Sequence, residues 1–308
     1  MKTRMMRRRQ SQRGLALIVA MLIAALAAAV AVSVATAQSQ WSTRVLHRRD
    51  QVQAQSIALA GVAWARQILE QDGRYAGAID HLGEPWALPL PRTPVDNGDV
   101  EGRIVDAQAM LNVNNLASPA HAAFERGAFS RLFAAHGVPQ SALASIVDWV
   151  DPDDAPQPEG AEDAWYLRQA QPALAANAPA TRLDELAYTR GMTAASMRRF
   201  LPFATALPVD TPLNVNTASA DVLAASLPNA TPEAVLALVA SRARQPFASV
   251  QDFRERAGVA IGDEAMYAVA SHYFVVTVRA RQGETIARAR ALIARTGATS
   301  AIVWQTIE

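Results

Sequence analysis

The chain has 308 residues, enough for about two domains beyond a membrane anchor. Its hydrophobic share of 51% is ordinary for a protein with a packed core, and its formal net charge of +1 excludes a global field that would gather nucleic acid or anionic lipid. Cysteine is absent, which excludes a disulfide framework and thiolate metal sites.

The amino terminus is basic, with Lys2, Arg4, Arg7, Arg8, Arg9 and Arg13. Leu15 to Ala37 then runs without a charged side chain, interrupted only by Ser33 and Thr36. At about 1.5 Å per residue this stretch is ~34 Å long as a helix, enough to cross a hydrocarbon core of about 30 Å. Basic residues are denser before the span than after it, where Arg44, Arg48 and Arg49 stand, so the positive-inside rule puts Met1 in the cytoplasm and everything after Trp41 outside. The alternative is a cleaved secretory signal, for which Ala35-Thr36-Ala37 offers small residues. Against it stand the length of the span and the helical pattern that continues through its end. No Pro occurs from Leu15 to Gln53, and Ile57, Ala60, Gly61, Trp64 and Ile68 form an apolar stripe. The pattern predicts one helix over 15–70, ended by Asp72-Gly73.

Arg13-Gly14 followed by Leu15-Ala16-Leu17-Ile18-Val19 resembles the processing site of type IV prepilins and pseudopilins. The resemblance implies cleavage by a prepilin peptidase between Gly14 and Leu15, methylation as part of that maturation, and retention of the span in the inner membrane. Most members carry Glu at the fifth mature position, thought to pair with a neighbour's amino terminus; here that position is Val19. A subunit without this acid cannot make that pairing to a subunit above it. By resemblance, this departure belongs to the tip subunit, minor pseudopilin K.

Residues 73–99 are rich in Gly and Pro and read as a surface loop closed by the turn Asp96-Asn97-Gly98-Asp99. A strand is predicted near Val100–Ala109. The matching strands lie at the carboxyl end: Tyr273–Val278, Ile286–Ile293 beyond a Gln282-Gly283-Glu284 turn, and Ala301–Trp304 beyond Gly297. The expected fold class is α+β: a long transmembrane and amphipathic helix on an antiparallel pilin-type sheet, with a large all-α insertion. The expected divisions are a leader (1–14), a span (15–37), helix continuation, loop and first strand (38–110), the insertion (111–270) and the last strands (271–308).

Inside the insertion, Leu111-Asn112-Val113-Asn114-Asn115 echoes Leu213-Asn214-Val215-Asn216-Thr217. The Asn and Thr side chains suit helix starts, and Leu and Val suit a core. Thr231-Pro232-Glu233 is a further helix start. The second copy resembles a helix-hairpin-helix unit, which raises membrane-tethered DNA binding as a rival function. The hairpin has Asn229 and Ala230 where glycines are usual, and Glu233, Asp252 and Glu255 dilute the nearby arginines, so no nucleic-acid partner is expected.

Asp148, Asp151, Asp153, Asp154, Glu159, Glu162 and Asp163 occur without a Lys or Arg among them, in a segment broken by Pro152, Pro156, Pro158 and Gly160. Such a loop is either a solvated acidic surface or a cradle for a hard cation, Ca²⁺ above all, which takes about six to eight oxygens. The spacing is not that of an EF-hand. Glu159, Glu162 and Asp163 are the first candidates because Gly160 lets the loop wrap; Asp151 and Asp153 complete the set. Asp148-Trp149-Val150-Asp151, Gly160-Ala161-Glu162-Asp163 and Tyr166-Leu167 are similar to the corresponding stretch of the pseudopilin K family, whose helical domain holds calcium. The layout of sheet and insertion resembles that family over nearly the whole chain.

No nucleophile elbow, phosphate loop or HExxH is present, and His47, His81, His121, His136 and His272 have no metal-ligand spacing. No enzyme is expected. The resemblance implies a type II secretion tip subunit that starts or caps the pseudopilus, with other minor pseudopilins as partners and its bulk in the periplasm; a minor pilin of a type IV pilus is the nearest alternative.

Overall fold

The computed structural model describes residues 9–75 and 77–308; residues 1–8 of the predicted leader lie outside them. Helix α1 (Arg9–Tyr75) runs 67 residues without a break, about 100 Å. Its first part is rich in Ala and Leu, the best helix formers, and no side chain from Leu15 to Arg49 is covered by the rest of the chain. Beyond that point Ala54, Ala58, Val62, Ala65 and Leu69 are buried at steps of three and four, one stripe of a helix laid on a sheet.

Strands β1 (Leu90–Val95) and β2 (Gly98–Asp106) form a hairpin. The inserted region follows. It contains β3 (Leu111–Asn112), α2 (Ala122–His136), α3 (Gln140–Val150), α4 (Asp163–Tyr166), α5 (Ala194–Phe200) and β4 (Ala204–Thr205). Then come β5 (Leu213–Asn214), α6 (Ala220–Ser226), α7 (Pro232–Arg244), α8 (Val250–Ala257) and β6 (Tyr267–Ala268). The chain closes with β7 (Tyr273–Gln282), β8 (Thr285–Thr296) and β9 (Thr299–Ile307). The main sheet has the order β1-β2-β7-β8-β9 and every pair is antiparallel. Residues alternate inward and outward along β7 and β8, and the inward set (Phe274, Val276, Val278, Ala280, Ala287, Ala289, Ala291) meets the α1 stripe. Small residues on both sides let helix and sheet approach. A β-carbon on Gly61 would lie 2.7 Å from Val278 Cγ1.

Three sequence expectations are corrected. First, α1 does not stop at Asp72-Gly73 but continues to Tyr75. Gly73 is a close-approach residue: the Gly297 carbonyl occupies the space its β-carbon would need. Second, the predicted loop over 73–99 contains β1. Its Pro91 and Pro94 weaken a strand reading, but β1 is an edge strand, where a missing N–H donor is tolerated. Third, the strand predicted at Val100–Ala109 is β2 at Gly98–Asp106; Ala107–Ala109 forms a 3₁₀ turn capped by Asp106.

The insertion has its own core, separate from the helix–sheet core and drawn from Leu111 to Tyr267. The two Asn-rich copies play equivalent parts. Each Leu-Asn pair forms a short parallel bridge, β3 with β4 and β5 with β6, which closes its half of the insertion. The Asn114 amide donates to the Ala180 carbonyl (2.9 Å) and accepts from the Ala180 N–H (2.8 Å). The Asn216 amide does the same with Phe247, at 3.0 and 2.8 Å. An asparagine side chain thus stands in for a β-partner, which is why Asn recurs in buried positions. Ser219, Thr231 and Ser249 cap α6, α7 and α8, each accepting a backbone N–H three residues on.

Buried charge joins insertion to sheet. Asp106, at the end of β2, accepts from the Gln108 N–H, Asn214 Nδ2, Thr217 Oγ1 and Ser271 Oγ. Burial still pushes its carboxyl up to about 6.

Candidate metal centre

The acidic loop connects α3 to α4. Helix α3 is apolar on most of its surface and ends with Asp148, Trp149, Val150 and Asp151 all buried; Asp151 forms its carboxyl-terminal cap. Trp149 packs edge-on to Tyr166 of α4 (5.5 Å), and Tyr166 packs edge-on to Trp165 (5.0 Å). This aromatic contact draws the two ends of the loop together and sets Glu162 opposite the end of α3.

Asp148 is fully buried. Its Oδ1 accepts the Gln157 N–H (3.0 Å), and its Oδ2 lies against Gly160, where a β-carbon would collide with it. Gly160 therefore serves close approach. The left-handed turn of the loop falls one residue earlier, on Glu159 at φ 68°. Two arginines distant in sequence brace the loop: Arg190 donates to the Gly160 carbonyl (2.9 Å) and Arg126 to Gln157 Oε1 (3.1 Å).

Asp151 and Glu162 are buried too, near enough to Asp148 for the charges to repel. Asp148 Oδ2, Asp151 Oδ1 and both carboxylate oxygens of Glu162 are buried with no protein donor. Burial, then Asp153 and Asp148, pushes Asp151 up to about 6. Burial, followed by Asp148, Asp151, Asp154 and Asp153, pushes Glu162 up to about 7. Burial also raises Asp148, opposed by the N–H groups of Gln157 and Ala161. Four buried carboxylate oxygens without a protein donor, on groups that burial and mutual repulsion push toward the neutral acid, are the donor type a hard cation takes, although the three side chains do not converge to within 4.8 Å of one another in this structure.

Of the residues singled out in the sequence, the fold turns Asp151 and Glu162 inward together. Asp153 and Asp154 are exposed at the mouth, where Asp154 accepts from Asn177 Nδ2 (2.8 Å). Glu159 points to solvent, and Asp163 accepts the Ala175 N–H (2.8 Å). Asp148 belongs to the acidic cluster of the sequence but not to its expected ligand set. Its position in the last turn of an apolar helix, one residue before Trp149, is the signal that marks it. Arg126 and Arg190 had no local sequence signal.

Among the described residues, Asp72, Asp80 and Glu84 are the one group of three carboxylates with oxygens all within 4.8 Å of one another; Asp148, Asp151 and Glu162 stand farther apart. The closer group is already neutralised in part. Arg295 pairs with Asp72 and Asp80, the Ser271 N–H donates to Asp80, and Trp86 Nε1 and the His81 N–H donate to Glu84. This group ties the end of α1 to β8.

At the other end of the molecule, Gly14 and Leu15 lie within unbroken α1, and nothing stands within 4 Å of a β-carbon on Gly14. Val19 is exposed on the same helix. The segment they begin is long and apolar enough to cross a membrane.

A helix long and apolar enough in its first half to cross a membrane, with its distal half packed on a five-stranded antiparallel sheet, defines a pilin-type fold, here enlarged by an α-helical insertion. Family models for type II secretion system protein K match residues 109–209 and 213–277, the two halves of that insertion. Type II secretion system protein K of Pseudomonas aeruginosa is 36% identical over 258 residues, covering 79% of this chain and 76% of its own. The protein of the same description from Klebsiella pneumoniae is 31% identical over 310 residues, 95% of each chain. The crystal structure of the GspK-GspI-GspJ complex from enterotoxigenic Escherichia coli shares the fold, with a TM-score of 0.76 at 23% identity over 86% of this chain and 99% of the matched one. The chain belongs to the type II secretion system protein K family.

Proposed function

We propose that this chain is a minor pseudopilin at the tip of the type II secretion pseudopilus, where it initiates and caps the filament. The observation that carries the reading is the division of α1. One half is bare, apolar and free of carboxylates, with Val19 at the position where an acid would pair with a subunit above; the other half is locked to the sheet. A buried acid in lipid is costly without a partner, and a terminal subunit has no partner there. The inserted domain adds bulk that a repeating filament subunit lacks.

In this reading a prepilin peptidase cuts between Gly14 and Leu15, and the span holds the subunit in the inner membrane with residues after Trp41 in the periplasm. The partners are other minor pseudopilins; the relative crystallised from enterotoxigenic Escherichia coli is described in a complex with GspI and GspJ. Asp148, Asp151 and Glu162 hold Ca²⁺, with Asp153 and Asp154 at the entrance. The metal supplies charge neutralisation, and the residues supply a loop that stays closed.

Amino-terminal sequencing of the mature protein tests the anchor: a start at Leu15 supports the reading and a start near Gln38 overturns it. Pull-down of the other minor pseudopilins tests the role. Capture by the wild type that survives Val19→Glu, with pseudopilus assembly impaired by the substitution, supports a terminal position. Unimpaired assembly with Glu at 19 removes the argument from the missing acid. Calorimetric titration with Ca²⁺ tests the metal, and neither heat nor a melting shift at millimolar Ca²⁺ removes it.

A further inference from the structure

The two edges of the main sheet differ in kind. β1 carries Pro91 and Pro94, which lack N–H donors, and Arg92, which pairs with Asp99 (2.7 Å). Such features blunt an edge against further pairing. β9 has no such residue; its one interruption is a bulge at Val303, which leaves 304–307 as its regular edge next to the carboxyl end. From Thr299 to Ile307 it contains no Pro, Gly or charged residue, and Ile302, Val303 and Ile307 are exposed at 39%, 52% and 37%. Arg288 and Glu308 exchange both of their backbone hydrogen bonds, at 2.8 and 2.9 Å. By antiparallel alternation, the N–H groups of Ile307 and Gln305 therefore point away from β8, along the free edge.

Charge distinguishes the surface beside this edge. The Arg290 guanidinium lies over the Trp304 ring at 5.7 Å, reaching from β8 across β9. Arg182, from the insertion, approaches the same ring at 5.5 Å but already pairs with Asp184 (2.6 Å). Arg290 has no ion-pair partner among the described residues, and neither has Arg288, which stands opposite Arg279 on the neighbouring strand. Arg279 is already joined by Asp99 and Glu101, so the unpaired positive charge beside this edge is that of Arg288 and Arg290.

We propose that β9 is a docking edge for an extended strand of a different polypeptide, apolar at alternate positions and bearing carboxylates on the side that faces Arg290. Main-chain hydrogen bonds supply the attachment, and the arginine supplies the selection. A second copy of this chain is the poorer occupant, because its β9 offers no carboxylate between Thr299 and Ile307. The edge is remote in sequence from the acidic loop and does not require calcium there.

The test uses the full chain in detergent micelles and two capped seven-residue peptides, one alternating valine with glutamate and one alternating valine with lysine. The glutamate peptide is expected to slow amide exchange in residues 299–307, and the lysine peptide is not. Gln305→Pro removes an outward donor while leaving the ladder to β8 in place, and it should weaken the glutamate peptide about tenfold or more. Arg290→Glu should transfer the preference to the lysine peptide, and an unchanged melting temperature for each variant confirms that the fold is retained. Absence of protection by either peptide at millimolar concentration overturns the proposal. Equal protection by both overturns the charge selection. Concentration-dependent protection of 299–307 without peptide shows that the occupant is a second copy.

Discussion

The Asp148 carboxylate lies directly against the α-carbon of Gly160, so closely that residue 160 has no room for a β-carbon. Gly160→Ala must therefore push Asp148 aside or open the loop. Overpacking of this kind costs about 1–3 kcal/mol. The expected outcome is a lower melting temperature in calcium and a smaller gap between calcium and chelator, read by thermal denaturation. Retention of the wild-type gap would separate Asp148 from the metal.

Glu162 and Asp151 predict how the metal-free protein responds to pH. Their folded carboxyls are raised to about 7 and about 6, above the ordinary 4.5 and 3.8. The folded form thus binds protons more tightly than the unfolded form. This contribution is fully present below about pH 4 and is lost as pH rises through 7. With chelator, the loop region should be less stable at pH 7.5 than at pH 5.5. Calcium should reverse the trend, because ionised carboxylates bind it and protons compete. Melting curves at both pH values, with and without calcium, check the sign, and Glu162→Gln should flatten both dependences.

Arg295 is buried between Asp72 and Asp80 and has Phe274 beneath its guanidinium, 4.7 Å from the ring centre. Arg295→Met leaves two carboxylates without their cation, and breaking such a buried pair costs about 3–5 kcal/mol. Burial and Glu84 already hold Asp72 at about 6 with the arginine in place. The variant should therefore lose more stability at pH 7.5 than at pH 5, where Asp72 is protonated. Denaturant unfolding at the two pH values measures this difference.

Asn114 and Asn216 make matched pairs of hydrogen bonds with Ala180 and Phe247. Asn114→Ala or Asn216→Ala strands a buried N–H and a buried carbonyl, at about 1–3 kcal/mol each, and Asn114→Ala also removes a bond to the Leu207 carbonyl (2.7 Å). Asn114→Ala should cost the more because of its extra bond to Leu207, and Asn→Asp should rescue only the bond to the N–H. A negligible loss at either site, read by denaturant unfolding, would show that the sequence echo is not a structural equivalence.

Gly73 and Gly297 meet backbone to backbone where α1 passes the β8–β9 turn. Because the obstructing atom is a main-chain oxygen, Gly73→Ala should destabilise by about 1–3 kcal/mol even though alanine is the better helix former. Urea unfolding provides the measurement.

Much of this protein was determined locally. An uncharged run from Leu15 to Ala37 is long and apolar enough to cross a membrane, and any such run in lipid would have to be helix, because unpaired backbone groups are too costly there. The alternation of β7 and β8 and the echo of two Asn-rich motifs are short-range patterns, legible without coordinates. Tertiary structure alone decided the rest. It made Gly73 a contact rather than a stop, and it gave Pro91 and Pro94 an edge strand. It also selected Asp148 with Asp151 and Glu162 from seven carboxylates, because the packing of Trp149 on Tyr166 and the bracing by Arg126 and Arg190 decide which acids turn inward. Burial and mutual repulsion depend on distances across the fold, and no sequence interval encodes those.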